Sequence, residues 1–176
     1  MSKAWRAICV ASLSWTWLAA CKEKKQRENP ARPPSQSSAP EKTAAPMPLL
    51  TRLALESRSR PASAVRVEDV LDALAGAKLG LARRKQYLAA TVRAAYCMGG
   101  QTASQIAVAV CEYPNEKAAR AGRRYSLERF QRVAPVREIY LNGRTMLSLT
   151  RSARTADGDR QVARAAAVFL ALRPRR

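Results

Sequence analysis

The chain has no histidine among its 176 residues. That removes the commonest general base, the commonest metal ligand and the usual pH switch. Acids are scarce too: 13 Asp and Glu stand against 32 Lys and Arg, a formal charge of +19. No two of them have a spacing suited to paired-carboxylate chemistry. There is no Cys-x-x-Cys redox motif, no Gly-x-Ser-x-Gly elbow and no Gly-rich phosphate loop. Two cysteines in the folded part, without histidine, fall short of a zinc set. The sequence therefore points to no metal, no cofactor and no catalytic residue. Also missing is any apolar run of the roughly 20 residues that a membrane-spanning helix needs.

What is present begins at the N-terminus. Lys3 and Arg6 precede a mostly apolar run from Ala7 to Ala20. Fourteen residues are too few to span about 30 Å of hydrocarbon, but they fit a signal-peptide core. The run ends Leu18-Ala19-Ala20-Cys21, which resembles the lipobox of bacterial lipoproteins. The resemblance implies cleavage before Cys21, a signal peptide of residues 1–20, and lipid on Cys21. Several acyl chains anchor stably where one would be marginal. Lys22 stands where Asp marks inner-membrane retention in enteric bacteria, so the resemblance implies an outer-membrane anchor facing the periplasm.

Residues 21–63 read as a lipidated cysteine followed by a disordered tether. Seven of the ten prolines lie there, among Ser, Ala, Lys and Gln. A flexible tether of about 40 residues spans roughly 35 Å. The basic run Lys22 to Arg27 suits anionic headgroups as well as plain solvent. Pro48 to Leu55 is apolar enough for a short helix that docks on the domain or on a partner.

Residues 64–176 form the single domain, with 21 basic residues against 9 acidic ones. Val67, Val70, Leu71 and Leu74 recur at helical spacing, with Glu68 and Asp69 in the first turn. Residues 87–97 alternate as a strand at Leu88, Ala90, Val92, Ala94 and Tyr96, the reading favoured here, although Leu88, Thr91, Val92 and Ala95 also fit a helix. Gln105 to Cys111 alternate as a strand, with Met98-Gly99-Gly100-Gln101-Thr102 as the turn. Asn115 caps a helix whose inner face is Ala118, Ala119, Gly122, Tyr125 and Ser126. Asn142-Gly143 marks a hairpin that pairs Tyr140 with Thr145. Asp157 or Asp159 caps a last helix, with Val162, Ala163, Ala166, Phe169 and Leu170 inward. The order αββαββα predicts an α+β fold: a small antiparallel sheet of about four strands with helices packed on one face.

Few residues are candidates for function. Cys97 and Cys111 form an even pair in an oxidising compartment, which suits a disulfide. A tight hairpin around Gly99-Gly100 would instead hold them about 20 Å apart, far beyond the roughly 7 Å a disulfide allows. Both arrangements stay open. Glu112, Tyr113 and Glu138 sit at strand ends, as site residues or as solvent-facing polar groups. Arg120, Arg123 and Arg124 cluster on one helix, either as a solvated face or as an anion-binding one. Anionic envelope polymers fit that face, and nucleic acid does not fit the compartment. The expected function is a lipid-anchored, non-catalytic binding or scaffold module. The alternative is an accessory subunit of an envelope complex, which would show an exposed apolar patch. An enzyme is the weakest of the three.

Overall fold

The computed structural model describes residues 47–62, 65–134 and 136–173. Residues 1–46, on which the expected signal peptide, the lipidation site Cys21 and most of the expected tether fall, lie outside the described residues. The architecture is α+β, with one five-stranded antiparallel sheet and four α-helices. In chain order these are α1 (Leu49–Arg58), α2 (Val67–Gly76), β1 (Leu81–Tyr87), a 3-10 turn (Ala89–Val92), β2 (Tyr96–Thr102), β3 (Ala107–Glu112), α3 (Glu116–Phe130), β4 (Val136–Asn142), β5 (Thr145–Arg151) and α4 (Ala156–Ala171). The strands lie in the order β1-β2-β3-β5-β4.

The helices cover both faces of the sheet, which corrects the expectation of one helical layer. Strand side chains alternate, so each strand feeds two cores. Tyr96, Val108, Val110, Leu147 and Leu149 meet α2 and α4 on one face. Cys97, Cys111, Ile139 and Met146 meet α3 and the 3-10 turn on the other. On α2, Val67, Val70, Leu71 and Leu74 are all fully buried. Each such side chain contributes about 1.5–3 kcal/mol through apolar burial.

The fifth strand is β1, which carries Arg83, Arg84 and Lys85 and shows only partial burial. As an edge strand it needs no apolar alternation, and its charges disfavour pairing with another chain. Its register slips between Ala82 and Lys85, where Arg83 takes φ 53°. Of the strand expected over residues 87–97, Ala89–Val92 form the 3-10 turn instead, while Tyr87 closes β1 and Tyr96 opens β2. Glu56 of α1 accepts hydrogen bonds from the Ala89 and Ala90 amides at 2.9 and 3.2 Å, and so caps that turn. Residues 47–62 thus belong to the folded unit, against the expectation of a tether up to residue 63.

Gly99 and Gly100 lie inside β2, not in a turn. A Cβ on Gly99 would stand 1.9 Å from the Val108 carbonyl oxygen, so this glycine permits close approach of the two strands. The turn lies at residues 103–106, with Gln105 at φ 62° and the Thr102 hydroxyl accepting from the Ile106 amide. The Asn142-Gly143 hairpin forms with a different register. Asn142 pairs with Thr145 and Tyr140 with Leu147. Only Gly143 has positive φ at the turn, which fits a loop with glycine first. Asn142 stays in the strand and donates to the Phe169 and Leu172 carbonyls at the end of α4. On α4 the cap is Thr155, whose hydroxyl accepts from the Gly158 amide, rather than Asp157 or Asp159. Val162, Ala166 and Phe169 pack inward as expected, but Ala163 and Leu170 are exposed and Ala165 is buried.

Candidate functional site

The two cysteines are directly opposed on β2 and β3 and form a disulfide, with Cα atoms 4.2 Å apart. The displaced turn is what brings them together, and the tight hairpin around Gly99-Gly100 is overturned. Glu112 and Tyr113 do not converge. They are both fully buried, on opposite faces of the sheet. The Tyr113 hydroxyl donates to the Val92 carbonyl at 3.1 Å, and burial pushes its pKa up to about 12. Glu112 faces neither solvent nor a pocket. Its carboxylate accepts from Arg60 Nε and Nη2 at 2.7 and 2.5 Å, and from the Val67 amide at 2.8 Å. Arg66, the residue before α2, makes no side-chain cap, so Glu112 supplies the anion at that helix N-terminus. Arg60 also grips Glu68 through two hydrogen bonds and lies 4.4 Å from the Tyr96 ring centroid. This cluster fastens the segment entering α2 to the sheet.

A second cation on the same face is treated alike. Arg151 is almost fully buried and pairs with Glu138 at 2.8 Å and Asp159 at 2.6 Å. Glu138 is thereby a structural partner, and it also accepts from the Tyr140 hydroxyl.

The three arginines of α3 have different surroundings. Arg120 pairs loosely with Glu116 at 3.3 Å. Arg123 donates from Nε to the Ile139 carbonyl on β4. Arg124 is exposed.

A largely apolar concavity lies on the α3 face, and sequence reasoning missed it. Its volume is about 350 Å³. The floor is the Cys97–Cys111 disulfide with Ala107 and Ala109 of β3, and Ser148 and Thr150 of β5. One wall is Tyr87, Leu88, Thr91 and Val92; the other is Phe130, Ala134 and Arg137. The cavity exists because this side of β3 carries alanines while the other side carries valines. Small side chains leave a gap that α3, which ends at Phe130, does not fill. Arg137 is the cation of the groove. Its Nε donates to the Ser148 hydroxyl at 2.7 Å, and its guanidinium lies 5.2 Å from the Phe130 ring centroid. Burial lowers its pKa, yet a guanidinium stays charged at any physiological pH. No carboxylate lines the groove.

Among the described residues no group of three His, Cys, Asp or Glu could hold a metal ion, and no helix is long and apolar enough to cross a membrane. No protein-family model, curated protein or solved structure matches this chain.

Proposed function

We propose that this chain is a lipid-anchored envelope protein whose folded unit is a non-catalytic binding module, and that the groove beside α3 is its binding site. The single observation that carries the binding reading is the groove: a cavity of about 350 Å³, apolar-walled, with one converging cation. Sites for small ligands are typically concave, mostly apolar and furnished with a few placed polar groups. The lipobox supports the anchor. The reading places Cys21 at the outer membrane, with the folded unit in the periplasm.

Two measurements test it. Globomycin treatment or Cys21→Ala blocks processing and acyl labelling; normal processing of the Cys21→Ala chain refutes the anchor. Ala109→Phe fills the groove floor. It abolishes the fluorescence gain of an apolar dye such as N-phenyl-1-naphthylamine, and an undiminished gain refutes the site.

A second reading, an accessory subunit of an envelope complex, is favoured by α1. Leu49, Leu50 and Leu55 on this helix and Met47 just before it are all exposed, Leu50 to 78%. Exposed apolar residues gathered on one short segment suit a protein contact. Crosslinking from Leu50 in intact envelopes, compared with Leu127, tests this reading.

A further inference from the structure

Two of the partly or fully buried arginines, Arg60 and Arg151, are neutralised by carboxylates, and the arginine of the groove is not. Arg60 is held by two carboxylates, Glu68 and Glu112. Arg151 is held by two carboxylates, Glu138 and Asp159. Arg137 is held by a serine hydroxyl and an aromatic ring. A partly buried charge is costly unless it is paired, because the low dielectric penalises it and water no longer solvates it fully. The two terminal nitrogens of Arg137, a planar fork suited to a two-oxygen anion, have no acceptor among the described residues. The groove beside them is lined by alanines, a disulfide, Leu88, Val92 and Phe130. A molecule complementary to both parts has an extended apolar body and one terminal anion.

Resting on the reading of the groove as a binding site, we propose that it binds a single-chain anionic lipid. The acyl chain lies over Ala107, Ala109 and the Cys97–Cys111 bridge, between Leu88 and Phe130. The headgroup, a fatty-acid carboxylate or a lysolipid phosphate, takes the open side of the Arg137 guanidinium. The apolar walls provide affinity for the chain, and Arg137 provides selection for the charge.

The test uses the chain expressed with Cys21→Ser, which receives no anchor lipid. The probe is cis-parinaric acid, whose fluorescence rises in apolar sites, alongside its uncharged methyl ester. The parent binds the acid at least tenfold more tightly than the ester. Arg137→Met weakens the acid at least tenfold and leaves the ester unchanged. Oleate and oleoyl-lysophosphatidate are then used as competitors, and the stronger one identifies the headgroup. Equal binding of acid and ester by the parent, or no displacement by either competitor, overturns the lipid assignment. So does full acid binding by Arg137→Met. Ala109→Phe separates this failure from that of the site itself. Loss of both probes keeps the groove as the site, whereas retention of both overturns the groove reading altogether. If Ala109→Phe does not fold, Thr150→Trp at the rim serves the same purpose.

Discussion

The two faces of the sheet are built from the same strands and finished differently. On the face under α2 and α4, alternate strand positions are Val108, Val110, Leu147 and Leu149, and the core is closed. Both cations that reach this face, Arg60 and Arg151, meet two carboxylates each. On the face under α3, the same strands present Ala107, Ala109, Ser148 and Thr150, and a groove is left. Its cation meets none. One face therefore satisfies itself internally, while the other has space and charge in excess. That contrast, more than any single residue, separates the part that holds the fold from the part free to bind.

If the closed face carries stability, breaking its charge cluster gives the largest loss. Arg60→Ala leaves Glu112, at 0% exposure, without a counter-charge. Removing one partner of such a buried pair costs about 3–5 kcal/mol. Urea denaturation checks the value, and a loss below 1 kcal/mol would show that water reaches Glu112. The cluster also predicts an acid limb. Glu68 is held below its ordinary value of 4.5, first by its hydrogen bonds from Arg60. A depressed folded-state pKa means that its contribution is present above pH 4.5 and fades as pH falls through the folded value. Stability against pH should be steeper below 4.5 in the parent than in Arg60→Ala.

The next effect lies on the groove floor. The bridge closes a loop with a sequence separation of 14, for which removal costs about 3 kcal/mol. Cys97→Ala/Cys111→Ala should lower the unfolding free energy by that amount. Alkylation without reduction, followed by mass spectrometry, should find neither thiol free in the parent. Smaller again is the seam between α3 and the sheet. A Cβ on Gly122 would stand 2.3–2.5 Å from the Tyr113 ring and hydroxyl, and that ring is enclosed on all sides. Gly122→Ala should cost about 1–3 kcal/mol by overpacking. Near-UV circular dichroism would report the displaced tyrosine, and an unchanged spectrum with unchanged stability would show that α3 slides freely.

The sequence was readable where a local rule and the tertiary need agreed. α2 has the 3.6-residue period of a helix buried on one side, and its four large apolar residues are the four that are buried. Asn115 caps α3 because its own side chain reaches the Ala118 amide. Reading failed where a distant residue decided. Asn142 leaves its turn to bind the end of α4, and Glu56 of α1 caps the 3-10 turn from 33 residues away. Gly99 resembles a turn residue, yet it serves strand approach. Glu112 resembles a solvent-facing strand end until Arg60, 52 residues earlier, closes over it. The groove did have a signature: Ala107 and Ala109 alternate with Ile106, Val108 and Val110, so β3 has one large-residue face and one small-residue face. What that alternation cannot convey is whether a helix covers the small face, because this depends on where α3 ends.

The smallest effects separate the α3 arginines from Arg137, and they bear on what anion binding on this face would mean. Arg120 is exposed, and its one ion pair is an exposed i,i+4 contact with Glu116. Such a pair contributes about 0.3–0.5 kcal/mol, and salt screens it. Arg124 is exposed as well. Arg120→Gln and Arg124→Gln should each move stability by no more than about 0.5 kcal/mol. Arg123 differs from its neighbours. Its Nε donates to the Ile139 carbonyl and so ties α3 to the edge strand β4, a bond worth about 0.5–1.5 kcal/mol. A trio acting as one anion-binding surface would lose affinity for an anionic polymer by similar steps as each member was removed. With the trio divided in this way, Arg123→Gln should lower thermal stability while Arg120→Gln and Arg124→Gln leave it in place. Binding to lipopolysaccharide or peptidoglycan at low salt should then follow Arg120 and Arg124 more than Arg123. Thermal melts and sedimentation with either polymer, at low and high salt, measure both. Equal loss of binding from all three single variants, with stability unchanged in each, would restore the trio as a single site and make the groove the lesser anion site of that face.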